Sequence, residues 1–164
     1  MTMAAMLLPE FDHEMRTTRT VLERTPVQDA AWRPHPRSTS LGDLAVHIAT
    51  IPSWLVPVLT ETELDLAPAP GAVPVGFGSV DSLLAMFDEN VHNARAALAA
   101  ANDADFGVPW TLRAGEHRVF TLPRGPVVRS FVLSHLVHHR GQFTVYLRLR
   151  EVPLPPVYGP TADV

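Results

Sequence analysis

The chain of 164 residues contains no cysteine and no lysine. Without cysteine there can be no disulfide and no thiolate metal ligand, so any metal must be held by nitrogen and oxygen donors. A nucleophilic cysteine is excluded as well, and thiol chemistry would require an external small-molecule thiol. All 13 basic residues are arginine, against 17 acids, which gives a formal net charge of −4. This composition lacks the basic face of a polyanion binder, and no helix-turn-helix pattern is present, so no nucleic-acid partner is expected. The opening MTMAAMLLPEFDHEM has neither the basic start nor the long apolar run of a secretion signal. No apolar stretch reads as long enough to span a bilayer. A cytoplasmic protein without a membrane partner is therefore expected.

What is present is a chain with 46% hydrophobic residues, enough to bury a core. Its length suits one domain, residues 1–164. Residues 4–25 read as a first helix, with Leu8, Phe11, Met15, Thr18 and Leu22 on one stripe. Pro26, Pro34 and Pro36 turn residues 26–39 into a loop. Ser40 caps a second helix, with Asp43 placed as a capping-box acid. Leu44, His47, Ile48, Ile51, Leu55 and Val58 form its core stripe, so His47 points inward. Pro52 should kink this helix, and Pro57 should fray its last turn. The proline- and glycine-rich stretch 63–78 reads as a long connection that permits a crossover, with the helices on either side parallel.

Ser79 caps a third helix over 80–101, whose inner face is Val80, Leu83, Leu84, Phe87, Val91, Ala94 and Leu98. Residues 105–122 form a small β-hairpin turning around Arg113 to Glu116. A fourth helix spans 125–150, with an inward stripe of Val128, Val132, His135, His139, Gln142 and Tyr146. The tail 151–164 is proline-rich and extended. The expected fold class is all-α: a four-helix bundle with a crossover connection and a β-hairpin insertion between helices three and four.

The stretch LSHLVHHRGQ, residues 133–142, puts three histidines into five positions. His135 and His139 are i and i+4 and can bite one ion from one helix face. That spacing alone is common by chance, and solvent-facing histidines are the plain alternative. Two features favour a ligand role: the pair continues an apolar stripe, and His47 lies on a core stripe of another helix. Three buried imidazoles without partners would each cost about 1–3 kcal/mol, and one shared divalent ion satisfies all three. Three neutral histidines with an open position is the donor pattern of a catalytic site. His138, at i+3 from His135, also has chelating spacing but points about 100° away from His139. His13, His35, His92 and His117 have no visible convergent partner. Asp43, one turn before His47, could orient it, although capping is the simpler role.

These residues resemble the DinB/YfiT-like superfamily of small metal-binding bundles, over most of the chain. WRPHPRSTSLGDLAVHIA (32–49) resembles the family's segment leading through its first metal histidine. HLVHHRGQFTVYLR (135–148) resembles its HxxxHRGQ helix, and LPPVYGPTADV (154–164) its C-terminal ending. The resemblance implies a bundle with one crossover and a site for zinc or nickel, with His47, His135 and His139 as ligands. His138 falls where the family places no ligand.

It further implies thiol-dependent chemistry: an S-transferase-type enzyme joining a small-molecule thiol (bacillithiol, mycothiol or glutathione) to an electrophile, and a homodimer. A metal-activated water performing hydrolysis is a second chemical option. Gln142 and Tyr146 are candidate ligand contacts. Arg140 is a candidate contact to an anionic group of the thiol, or a partner of Glu89. The alternatives are a non-catalytic metal-binding stress-response protein and a metal-free bundle acting through a protein interface.

Overall fold

A computed structural model describes residues 2–67 and 75–163. Helix α1 spans Met3–Leu22, and the Thr2 side chain accepts from the Ala5 N–H to cap it. Phe11, Met15, Thr18 and Leu22 are buried as the apolar spacing requires, with Leu8 half-buried beside them. Helix α2 spans Leu41–Thr50 behind the Ser40 cap. A tight 3₁₀ turn over Ile51–Trp54 follows, and then α3, Leu55–Thr60. Pro52 sits in that turn: it has no N–H for the Ile48 carbonyl, so the α ladder gives way there. Pro57 does not end the segment, which continues to Thr60.

Contrary to the sequence reading, Leu41–Thr60 is long and apolar enough to cross a membrane by length and composition alone. Its most apolar window is 61% buried within the bundle, which accounts for the apolarity. Helix α4 spans Val80–Ala100, started by a reciprocal Ser79–Ser82 cap. Leu83, Phe87, Ala94 and Leu98 are its buried face.

The hairpin is present as β2, Pro109–Ala114, against β3, His117–Pro123. Gly115 turns it at φ +60, a left-handed conformation that costs glycine nothing. The expected isolated hairpin is corrected in one respect. Residues Glu63–Asp65 form a further strand, β1, parallel to β2, so the sheet has three strands in the order β1-β2-β3. Arg113 holds it by pairing with both Glu63 and Asp65, and the Asp65 carboxylate accepts the Gly115 N–H. Trp110 anchors the sheet to the bundle: its ring is fully buried and its Nε1–H donates to the Pro57 carbonyl at 3.0 Å.

The last long helix has three parts: α5 (Arg124–Val127), a π-helical segment (Val128–Ser134) and α6 (His135–Leu149). The π segment corrects the expected stripe. Its wider turn stretches the apolar spacing to successive steps of four. The buried line therefore runs Val128, Val132, Leu136, Arg140, Phe143 and Leu147. His135, His139 and Tyr146 are half-buried on the flank of that line, and Gln142 is exposed.

Around the bundle α1 packs on α4, α4 on α2, α2 on α6, and α6 on α1. Spatial order thus differs from chain order. The crossover was expected within 63–78, of which residues 68–74 lie outside the described residues. The tail folds back, with Asp163 paired to Arg148 and Tyr158 reaching α1.

Candidate metal centre

Two elements bring three imidazoles together. His47 comes from the last turn of α2, and His135 and His139 from the first two turns of α6. Helix α2 lies against α6, so the i, i+4 pair faces His47 across the helix interface. The Nε2 atoms of His47 and His135 are 3.4 Å apart, and those of His135 and His139 are 2.8 Å apart. One ligand atom from each of the three lies within 4.8 Å of the others, a set able to hold a metal ion.

The hydrogen bonds on the far side of the rings fix which nitrogens face inward. His135 Nδ1 lies 3.3 Å from the Phe131 carbonyl, which can only accept, so Nδ1 carries the proton. His139 Nδ1 lies 2.7 Å from Gln142 Oε1, an arrangement in which Nδ1–H donates to the amide oxygen. Both Nε2 atoms are therefore lone pairs directed at each other. Neutral rings in these tautomers have nothing to donate across that gap, and a shared cation removes the conflict.

A tetrahedral ion with nitrogen bonds of ~2.0–2.1 Å would separate its ligands by about 3.3 Å. The His47–His135 spacing of 3.4 Å is close to this value, and the His135–His139 spacing of 2.8 Å is shorter. The donor set thus fits a metal ion held by three imidazole nitrogens. Outward Nδ1–H donation to a carbonyl is the usual support of a metal-bound histidine.

Electrostatics agree with the geometry. Burial, then the neighbouring His139 and His135, pushes the His47 pKa down to about 4. Burial is also the main cause lowering His135, with His139 adding to it and the Phe131 hydrogen bond opposing it. His139 is lowered by burial against the opposing Gln142 bond. All three are neutral near pH 7, the form that ligates a metal.

An aromatic wall closes one side. Trp54 stacks on Phe131 at 4.9 Å and lies 5.4 and 5.6 Å from His135 and His47. Phe131 continues it to Trp110 and Phe120. The other side opens into a cleft of about 440 Å³ lined by Arg37, Ser38, Thr39, Leu44, His47, His139, Gln142 and Tyr146. Tyr146 donates to the Thr39 carbonyl at 3.3 Å, tying the loop before α2 to α6.

Of the residues singled out in the sequence, His47, His135, His139, Gln142 and Tyr146 meet at this cleft. Arg140 does not. It is 2% exposed and points to the opposite side of α6, where it pairs with Glu14 at 2.7 Å rather than with Glu89. Its Nη1 also donates to Thr18 and the Glu14 carbonyl, and its Nη2 to the Tyr158 hydroxyl. The reason is the π segment, which turns position 140 into the core. Asp43 spends its carboxylate on the Ser40 hydroxyl at 2.6 Å. The Ser40 hydroxyl caps α2 by accepting the Asp43 N–H, and the expected capping box, in which the Asp43 side chain would accept the Ser40 backbone N–H, is not formed among the described residues. His138 is exposed outside the cluster, as are His13, His35, His92 and His117.

Loop residues 37–39 line the cleft. Residues 75–78 border a separate groove against Val46. Arg37 and the Trp54–Phe131 wall escaped the sequence reading because no spacing rule links them to the histidines.

Comparison with known proteins agrees with this geometry. The profile of the DinB superfamily matches residues 10–143. A DinB-like protein of Bacillus subtilis superposes with a TM-score of 0.70 at 16% identity, over 93% of this chain and 96% of that one. A DinB-like protein of Bacillus cereus gives 0.71 at 22% identity, over 96% and 98%. A DinB-family structure from Exiguobacterium sibiricum gives 0.64 at 23% identity, over 99% and 98%. At these identities the likeness concerns the fold alone. No curated protein matches the chain.

Proposed function

This chain belongs to the DinB superfamily, and from that membership and its histidine trio we propose that it is a thiol-dependent, S-transferase-type enzyme with one divalent ion of zinc or nickel. The observation that carries the reading is the convergence of His47, His135 and His139 at the wall of an open cleft. A structural metal site is closed on all sides, whereas three protein nitrogens leave room for an exogenous ligand.

A bound divalent ion supplies a Lewis-acidic centre that holds a thiol as thiolate near neutral pH. The chain's own residues do the rest. Phe131 and Gln142 hold the His135 and His139 rings with Nε2 inward. Trp54 and Phe131 keep water from the His135 side. Gln142 and Tyr146 face the cleft, where they contact the thiol or the electrophile. In the net reaction the thiol sulfur forms a bond to an electrophilic carbon, the bond to the leaving group breaks, and the thiol proton passes to solvent. The protein acts in the cytoplasm as a homodimer, on small molecules rather than nucleic acid or membrane.

The test is to load the protein with zinc or nickel and assay an electrophile with bacillithiol, mycothiol and glutathione in parallel. Turnover that requires both the metal and one thiol is expected, with loss in His47→Ala. Absence of thiol-dependent turnover and of thiol binding, in a sample carrying stoichiometric metal, would favour a non-catalytic metal-binding role in stress response.

A further inference from the structure

The cleft has a charge bias that metal ligation does not use. Its lining includes one arginine and no carboxylate. Seven arginines of this chain are ion-paired, namely those at 19, 95, 113, 129, 140, 148 and 150. Arg37 forms no ion pair among the described residues, and it is the one that borders the histidines. The nearest acid in sequence, Asp43, is committed to Ser40.

The loop bearing Arg37 is held in place. Its N–H donates to His35 Nδ1 at 3.1 Å, and the Ser38 N–H donates to the His35 carbonyl at 2.9 Å. The Tyr146–Thr39 bond pins the far end of the loop to α6. A guanidinium is thus presented over the cleft with no hydrogen-bond or ion-pair partner for its planar fork among the described residues.

We infer that the cleft takes a small thiol bearing a carboxylate, and that Arg37 recognises that carboxylate. This rests on the reading that a thiol binds at the histidine site. The fork of an arginine matches the two oxygens of a carboxylate in a way a point charge does not. With the sulfur at the histidines and the carboxylate at Arg37, Leu44 lies against the carbon chain, and Ser38, Thr39 and Gln142 offer neutral hydrogen-bonding groups. A thiol with no negative group leaves Arg37 unmatched, and a cationic thiol is repelled.

The test uses the full chain loaded with cobalt(II), whose sulfur-to-metal charge-transfer absorption reports thiol binding independently of turnover. Glutathione and 3-mercaptopropionate are titrated beside their methyl esters. The acids are expected to bind about fivefold tighter than the esters, the size of a favourable exposed ion pair. Arg37→Gln should abolish most of that preference. Arg33→Gln, an exposed arginine of the same loop that does not line the cleft, should keep it.

Equal binding of acids and esters by the unaltered chain overturns the inference and leaves the thiol reading intact. Equal loss in the two arginine variants also overturns it, since bulk charge would then be the cause. Failure of every thiol to produce the band in a cobalt-loaded sample overturns both readings together.

Discussion

His139 and Arg140 are neighbours in the chain and opposites in the fold. Arg140 faces α1 at 2% exposure, and its guanidinium is matched by Glu14, Thr18 and Tyr158. His139 faces α2, and its inward nitrogen meets only the nitrogen of His135. One face of α6 is polar and satisfied by the protein. The other is polar and its inward nitrogens have no hydrogen-bond donor among the described residues, as at a binding site. Buried polar groups that the chain satisfies contribute to stability and to a unique packing; those it leaves short of partners mark a site. The two faces should therefore fail in different ways when altered.

The sharpest break should come from His47→Ala. After loading and dialysis, elemental analysis should fall from about one ion per chain to less than a tenth, because two nitrogens at i, i+4 hold a divalent ion poorly. Added zinc should raise the melting temperature of the unaltered chain and leave this variant unmoved. Retention of stoichiometric metal would remove His47 from the ligand set.

On the opposite face, Arg140→Met should destabilise by about 3–5 kcal/mol in urea unfolding, since it leaves the Glu14 carboxylate buried and unpaired. The double change with Glu14→Leu should cost less than the single one. Metal affinity should change by less than tenfold, provided unfolding is excluded by working at low temperature. A variant of this face that loses its metal while folded would erase the distinction between the faces.

Gln142→Ala removes the acceptor that holds the His139 ring. Loss of such support typically weakens metal binding 10–100-fold. Because Gln142 is exposed and water can replace it, about tenfold is expected in a competitive chelator titration.

A smaller effect concerns acid. The folded-state pKa of His47 is about 4, below the ~6.5 of an unfolded histidine. Between those values the unfolded chain binds more protons, so stability falls as pH drops. The metal-free protein should hold this contribution fully above pH ~6.5 and lose it progressively down to about 4, read as a declining urea midpoint. His47→Leu should flatten that stretch of the profile. The smallest effect is expected for His138→Ala, whose exposed ring lies outside the cluster: less than about 0.5 kcal/mol in stability and no change in metal.

Much of the bundle is written in local signals. Ser40 and Ser79 announce two helix starts, and both side chains accept the N–H three residues on. The first and third helices, read as 4–25 and 80–101, are Met3–Leu22 and Val80–Ala100. Pro52 marks the break in the second. The hairpin turn declares itself through Gly115.

What was not legible depends on partners distant in sequence. The strand Glu63–Asp65 is short and acidic, and exists because β2 lies alongside and Arg113 reaches both acids. Arg140 finds Glu14 because α6 packs on α1, which no spacing within α6 reveals. The π segment carries no composition signal, yet it rotates the core line of the last helix by one position.

The inward stripe expected for the last helix is therefore displaced from the histidine pair. His135 and His139 border the core rather than lie in it, and that half-buried placement is what leaves the cleft open beside them.

The most direct test of the central claim is X-ray absorption spectroscopy of the zinc-loaded chain, beside His47→Ala and His138→Ala. The account predicts three imidazole nitrogens at ~2.0–2.1 Å in the unaltered chain and in His138→Ala. It also predicts loss of bound zinc, or of one imidazole from the shell, in His47→Ala. A shell built mainly of carboxylate oxygens, or one that His47→Ala leaves unchanged, would contradict it.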